Sequence, residues 1–322
     1  MDFLGQRMPY VTAFSKALGT GMVISADSPI GDESRSAMES LIEDYEHVLS
    51  RFRNDSLIAA IGKAEHGGSF DFPDWCAPLF DLYDALFSAT SGAIDPCVGE
   101  DLIRLGYDAS LSFTVTQDAP EHLGALRGRA VWGRDVTRHG TTLVTHEPVQ
   151  LDFGACGKGY LVDLLGRMLR STQFVIDAGG DLLIHAEQPI SVALEDPEDS
   201  SRAIGVAHIV NGALCASAPS RRHWNVAVNE RTQIAIHHLL NAIDGLPAQQ
   251  TEASWAYVPA NATPDIARDY PAAVADGLAT ALFVSDATQL QRTFDFAYAT
   301  LNESRQIAAS RNFPAELFLR SA

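Results

Sequence analysis

No two cysteines in this 322-residue chain have C-x-x-C spacing, and the four present, Cys76, Cys97, Cys156 and Cys215, are widely separated with no histidine at finger spacing. They read as buried or free thiols, not as a zinc site or a disulfide framework. Positive charge is scarce too: 23 Lys and Arg stand against 41 Asp and Glu, a formal net charge of −18. Nucleic acids and anionic membranes need a positive surface, so neither is expected as a partner. No apolar run approaches the length of a membrane span. The N-terminal "MDFLGQRMPY" has no basic-then-apolar signal region and no lipid-attachment cysteine, so a cytoplasmic location is expected. There is no internal repeat and no convincing linker, so residues 1–322 are expected to form one domain, with room for two lobes. What is present is ordinary globular material, 46% hydrophobic and 20% charged. An acidic chain of this kind can still hold an anionic ligand, given a metal ion, a few placed basic groups or backbone N–H groups.

The periodicities are mixed, without a regular βαβ alternation. "GMVISA" (21–26) reads as a strand, and "DESRSAMESLIEDYEHVLSRF" as a long amphipathic helix with Met38, Leu41, Ile42, Tyr45, Val48 and Leu49 on one stripe. "FPDWCAPLFDLYDALFSAT" reads as a second helix, stopped near Gly92. A run of strands follows: "QFVIDA", "ISVALE", "AIGVAHIV", "ALCASA", "WNVAV" and "IAIHHLL". Asn211-Gly212 between two of them is a type I′ hairpin signal, and the acidic "LEDPEDSSR" reads as a solvated loop. Helix is expected again at 271–285 and 288–310.

Five segments carry chemistry. "LDFGACGKGYLVDLLGRML" puts three glycines and Lys158 at the mouth of a helix, where backbone can approach an anion closely. It is neither a G-x-x-x-x-G-K-[ST] loop nor a G-x-G-x-x-G fingerprint. In "YPAAVADGLATALFVSD" nearly every residue from Ala272 to Val284 is apolar or small, yet Asp276 sits mid-helix with Thr280 one turn on. A buried carboxylate needs a partner, and no basic residue lies between Asp269 and Gln291. The partner is another part of the chain or a metal; one carboxylate with hydroxyl and backbone oxygens suits Mg²⁺ shared with a phosphate. "IAIHHLLNAIDGLPAQ" puts His237 and His238 on opposite faces of a strand beside a turn-rich segment. "TSGAIDPCVGEDLIRLGYD" and "DAGGDLLIH" place Asp95 and Asp181 at a loop and a turn.

Taken in order, these stretches resemble the ApbE family of FAD:protein FMN transferases. "ALGTGMVI" is similar to that family's A-M-G-T-x-x-x-I, and "LSRFRNDSLIAAI" to S-x-F/Y-x-x-D-S-x-L-S-x-L. "GAIDPCVGEDLIRLGYD" resembles G-A-F-D-P-T-V-G-P-L-x-x-L-W-G-F, and "LDFGACGKGYLVD" resembles L-D-L-G-G-I-A-K-G-Y-A-V-D. "DAGGD", "ALEDPED", "HHLLNAIDGLPA" and "ADGLATALFV" are similar to N-x-G-G-D, G-I-x-D-P, H-H-I-I-D-P-x-T-G-x-P and A-D-A-L-A-T-A-L-F-V. The match runs from about residue 17 to 285.

The resemblance implies an α+β fold with mixed helices and antiparallel sheet, of the tunnelling (T-fold-like) type, with FAD as substrate and Mg²⁺ as cofactor. The implied reaction moves FMN from FAD onto a Ser or Thr hydroxyl of an acceptor protein and releases AMP. By matching positions, Asp276 and Thr280 would bind the metal, with the main chain at Gly157 and Ala279. Leu18, Phe52, Ala93, Ile94, Asp95, Gly154, Lys158, Tyr160, Asp181, Ser217 and Leu240 would line the FAD. His238 would assist proton removal from the acceptor. The chain departs from the pattern on one side: Asn241 stands for Asp, Ala242 for Pro and Asp244 for Thr, and "CASAPSRRHW" keeps only Ser217 and Arg222 of T-S-G-D-Y-E-R. Acceptor choice is the property these changes put in question. Hydrolysis of the FAD pyrophosphate, and flavin binding without turnover, stay open beside transfer.

Overall fold

Period-2 alternation in the middle of the chain builds its largest element. A computed structural model describes residues 4–229 and 232–318. Among them, nine strands form one sheet: β1 (Tyr10–Phe14), β2 (Met22–Ala26), β3 (Phe174–Asp177), β4 (Asp181–Asp196), β5 (Asp199–Ser217), β6 (Thr251–Pro259), β7 (Ala297–Asn302), β8 (Ile307–Ala309) and β9 (Ala315–Leu317). The order is β1-β2-β3-β4-β5-β6-β7-β8 with β9 added to β5, and every pairing is antiparallel. Alternate residues separate two cores. Val175, Leu182, Ile184, Leu214 and Trp255 pack on one face with Ile307 and Phe313. Ile176, Ala213, Cys215, Ala256 and Val258 pack on the other, under the helices.

Four helices cover that second face: α1 (Asp32–Leu49), α2 (Ala77–Ala89), α3 (Gly157–Gly166) and α4 (Pro271–Ala281). In α1 the buried positions are Met38, Ile42, Tyr45 and Leu49, one stripe at helical spacing. In α4 every residue from Ala272 to Ala279 is buried, as its composition requires. The two central helices touch closely: a Cβ on Gly159 would sit 2.1 Å from the Ala272 carbonyl oxygen, so only glycine fits there. Asp163 of α3 then caps α4, accepting from Ala272 N at 3.1 Å and Ala273 N at 2.8 Å. Among the described residues no helix is long and apolar enough to cross a membrane.

The architecture is the expected mix of helices and antiparallel sheet, with two local differences. The helix expected over 288–310 is a four-residue helix, Ala287–Leu290, followed by β7 and β8. "FAYATLN" buries Ala297, Ala299 and Leu301 alternately, a strand period that the polar residues before it masked. Asn211-Gly212 is no hairpin turn but lies inside β5, where a Cβ on Gly212 would meet the Val258 carbonyl oxygen at 2.3 Å. The hairpin joining β4 to β5 turns instead at Pro197-Glu198, within the segment read as an acidic loop. At "VQLDF" (149–153) the side chains are buried in alternation without a strand partner among the described residues, and α3 is entered from coil.

Candidate active site

The alternation that separates the two cores also aims polar side chains. Asp181 opposes Cys215 across β4 and β5, and Ser217 opposes Ser254 across β5 and β6. All four belong to the helix-facing set, so Asp181, Ser217 and Ser254 meet α4 at one end of the sheet. There the Asp276 carboxylate accepts from Lys158 Nζ at 3.0 Å through Oδ1 and from Gly159 N at 3.0 Å through Oδ2. Lys158 also reaches Asp181 Oδ2 at 2.9 Å. The partner of the buried Asp276 is thus Lys158, supplied by the mouth of α3, 118 residues away in sequence. Ser217 Oγ and Thr280 Oγ1 lie 3.4 Å apart, and Thr280 donates to the Ala155 carbonyl at 3.5 Å.

The charges in this cluster do not balance. Asp276 and Asp181 are each only 2% exposed at the side chain, and they share one ammonium. Apart from that ammonium, no donor among the described residues reaches either oxygen of Asp181. Burial, and then the like charge of Asp181, push Asp276 up to about 7, against the pull of Lys158 and the Gly159 N–H. Desolvation works against the ammonium too, but the two carboxylates outweigh it and raise Lys158 above its ordinary value.

Residues present therefore fit a hard cation: surplus negative charge, orphaned carboxylate oxygens, two hydroxyls and a carbonyl stand together. Among the described residues no three His, Cys, Asp or Glu side chains form a metal cluster by themselves, so remaining ligands would be water or phosphate oxygen, as Mg²⁺ prefers. The two main-chain carbonyls of the expected ligand set each accept a side-chain hydrogen bond. The Gly157 carbonyl accepts from Tyr45 Oη at 2.7 Å and the Ala279 carbonyl from Ser254 Oγ at 2.6 Å, whereas the carbonyl beside Thr280 is that of Ala155.

The adjacent histidines separate cleanly. The strand carrying them, Thr232–His237, ends before His238, so they do not simply alternate across a sheet. His237 uses both ring nitrogens, Nε2 donating to the Ala248 carbonyl at 2.8 Å and Nδ1 accepting from Leu239 N at 3.2 Å. It is a structural residue. His238 places Nδ1 3.2 Å from the Arg222 carbonyl, which makes Nδ1 the protonated nitrogen and leaves Nε2 an acceptor without a partner among the described residues. Burial is the main force pushing His238 down to about 4, only partly opposed by that carbonyl, so its ring is neutral near pH 7.

Other residues expected to line FAD fall into two groups. Phe52, Gly154, Leu18 and Ser217 keep exposed or half-buried surface. Leu18 does so in the left-handed backbone region, φ 54°, with its N–H held by Glu46 Oε1 at 2.8 Å, a strained conformation costing about 1–3 kcal/mol. Ala93, Ile94, Asp95, Tyr160 and Leu240 are buried. The Asp95 side chain is committed internally: it accepts from Cys97 N at 2.8 Å and lies 3.4 Å from Arg129 Nη1, and Tyr160 Oη bonds the Trp75 carbonyl. Much of the main chain here is committed too: the Ala93 and Ile94 N–H groups donate to the Thr90 carbonyl and Oγ1, and the Ala93 and Asp95 carbonyls accept from Ala242 N and Val98 N.

Sequence reasoning missed Arg129. Its side chain is fully buried, pairs with Asp101 at 2.8 Å and donates to the Ala242 carbonyl at 2.7 Å. It explains how the departures at 241–245 are accommodated. Ala242 N donates to the Ala93 carbonyl at 3.0 Å, a bond that the family's proline cannot make. Asn241 Oδ1 caps its own turn by accepting from Ile243 N at 3.0 Å. A Cβ on Gly124 would lie 2.3 Å from the Asp244 carbonyl carbon, so the 124–129 segment clamps this turn at glycine distance. No local pattern around Arg129 marks it; apart from the adjacent Ala130 carbonyl, its side-chain partners are 28 to 113 residues away.

Residues 18–299 match the sequence profile of the ApbE family. The chain is 27% identical over 284 residues to the FAD:protein FMN transferase of Treponema pallidum (strain Nichols), covering 78% of this chain and 72% of that one. Its fold is similar to the ApbE protein of Thermotoga maritima, with TM-score 0.77 at 20% identity over 95% of this chain and 99% of that one. It is also similar to the flavin transferase ApbE of Vibrio cholerae, with TM-score 0.73 at 16% identity over 94% and 97% of the two chains. With the profile spanning most of its length and the motifs meeting at one end of the sheet, the chain belongs to the ApbE family.

Proposed function

We propose that this protein transfers the FMN moiety of FAD to a Ser or Thr hydroxyl of an acceptor protein, with Mg²⁺ as cofactor and AMP as the other product. One observation carries the reading: two buried carboxylates with a single ammonium stand beside two hydroxyls, in the same fold as a neutral histidine with one ring nitrogen unpartnered among the described residues. Asp276 and Thr280, with the Ala155 carbonyl and Asp181 close by, would hold the cation. Bound there, Mg²⁺ supplies charge neutralisation and polarisation of the pyrophosphate, the main requirement of phosphoryl transfer. In the turn at 154–159 the Gly154, Gly157 and Gly159 N–H groups are already bonded to Asp152, Phe153 and Asp276, so the N–H groups of Ala155, Cys156 and Lys158, unpartnered among the described residues, would be the ones to meet phosphate oxygens. His238 Nε2 takes the proton of the acceptor hydroxyl; the hydroxyl oxygen bonds to the FMN phosphorus as the anhydride bond breaks, and AMP leaves with the bridging oxygen. Lys158 keeps Asp276 and Asp181 in place and limits their mutual repulsion.

Incubation with FAD, Mg²⁺ and a generic FMN-accepting domain tests the proposal. Covalent FMN on the acceptor by mass spectrometry, lost with a chelator, is the expected result. AMP with no labelled acceptor would mean hydrolysis, and intact FAD would mean a protein that only holds flavin.

The two histidines give a sharper prediction. His238→Ala should lower the transfer rate about 10²–10⁴-fold while FAD affinity changes little. His237→Ala should cost about 1 kcal/mol of stability, through its lost hydrogen bonds, with a much smaller effect on rate. Reversal of the pattern would make His237 the base. The pH profile adds a sign. With a folded value near 4, His238 stays neutral as pH falls below its ordinary 6.5, so at saturating Mg²⁺ its acid limb in kcat should lie well below 6.5. The unfolded chain takes up the proton first, so this residue's contribution to stability is present above 6.5 and is lost as pH falls toward 4.

A further inference from the structure

Arg51 follows α1 after Ser50, and its side chain is buried, 7% exposed. Its guanidinium carbon lies 4.2 Å from the Phe52 ring centroid and 4.6 Å from that of Tyr107. Nη1 donates to the Tyr107 carbonyl at 2.6 Å, and Nε pairs with Asp152. Asp152 in turn accepts from Gly154 N at 2.6 Å, inside the glycine turn. Nη2 is buried and has no partner among the described residues. Tyr107 continues the contact toward the base: its ring lies 6.4 Å from His238 and 5.9 Å from Trp224. One side chain thus joins Phe52, the glycine turn and the aromatic neighbours of His238.

The physical consequence concerns Phe52. Its ring is 42% exposed although the guanidinium and Tyr107 cover part of it. An exposed phenylalanine would ordinarily sample several rotamers; a cation over its face and an edge contact 5.4 Å away hold it in one. The free face is then a preorganised surface for a planar ring, and a partner that need not order its platform binds more tightly.

We propose that Arg51 is a positioning residue for the planar ring of the flavin nucleotide, acting through Phe52. This rests on the flavin-transferase reading. Its test is equilibrium titration of the full-length protein with FAD, followed by flavin fluorescence, together with kcat at saturating FAD. R51M should weaken FAD binding about tenfold, the scale of one lost stacking contact, while kcat changes less than about threefold. In the double variant R51M/F52A, affinity should be no lower than in F52A alone, because Arg51 acts through that ring. R51K should fold with the Asp152 pair kept but regain little affinity, since an ammonium is not a planar stacking partner.

Unchanged affinity in R51M, additive losses in the double variant, or full rescue by lysine would each overturn the proposal. So would a fall in melting temperature with the FAD constant unmoved, the signature of a residue that only holds the fold. A wild-type protein that fails to bind FAD would overturn the flavin reading itself, and this inference with it; tight wild-type binding with R51M unchanged removes this inference alone.

Discussion

Asp276→Ala and Asp276→Asn are both expected to lose at least about 10³-fold in Mg²⁺-dependent FMN transfer while remaining folded. The alanine variant removes a carboxylate that burial and Asp181 already hold near 7, so its charge is a burden on the fold as much as a support. Lys158 and Asp181 are left as a balanced pair at 2.9 Å. The cost on the other side is the Gly159 N–H, which loses its acceptor at 3.0 Å, about 1–3 kcal/mol for a buried donor. These opposing effects should leave the melting temperature within several degrees of the parent. Asparagine keeps the shape and an acceptor oxygen but removes the charge, so equal inactivity of both variants would identify the charge as the requirement. The measurements are AMP release, acceptor mass with and without a chelator, and a thermal melt. Wild-type activity in the alanine variant would sink the assignment of Asp276 to the cation.

Much of this site was legible in the sequence because its demands are local. A carboxylate inside "AAVADGLATA" has to be buried, and a buried carboxylate has to be answered; that much follows from α4 alone. The identity of the answer does not. Lys158 reaches Asp276 only because Gly159 lets α3 come within contact of Ala272, and Asp181 joins them only through the register of β4 on β5. Both depend on pairings between distant segments. The choice between His237 and His238 was likewise beyond strand alternation, because the strand stops at His237 and the Ala248 and Arg222 carbonyls decide which ring is spent. Errors in the fold have the same origin: Asn211-Gly212 has turn chemistry, but β6 packs so closely against it that the glycine serves the sheet instead. Arg129 and Arg51 were invisible for a further reason, since arginine outside a motif gives no periodic signal and their partners come from several segments each.

Lys158→Met should have the largest effect on stability. It is nearly isosteric in its stem, so the packing along α3 survives, but two carboxylates that are 2% exposed lose the only cation that pairs with them among the described residues. Removing one partner of a buried pair costs about 3–5 kcal/mol; with Lys158 itself about a third exposed, some water reaches the group and about 3 kcal/mol is the expected loss at pH 7. The sign with pH follows from the carboxylates. Asp276 is already raised by burial and by Asp181, and loss of the ammonium raises it further, so in the variant it is protonated in the folded chain and ionised in the unfolded one. The folded state then binds more protons, and the deficit should shrink as pH falls toward the ordinary carboxylate value near 4 and grow above neutrality. On the proposed reading a divalent ion should oppose the deficit as well, because it would bind only the folded cluster. Denaturant unfolding of parent and variant at pH 5, 7 and 8.5, with and without Mg²⁺, measures all three effects. A deficit that is independent of both pH and Mg²⁺ would show that lysine is present for packing and that the charges of Asp181 and Asp276 are neutralised elsewhere.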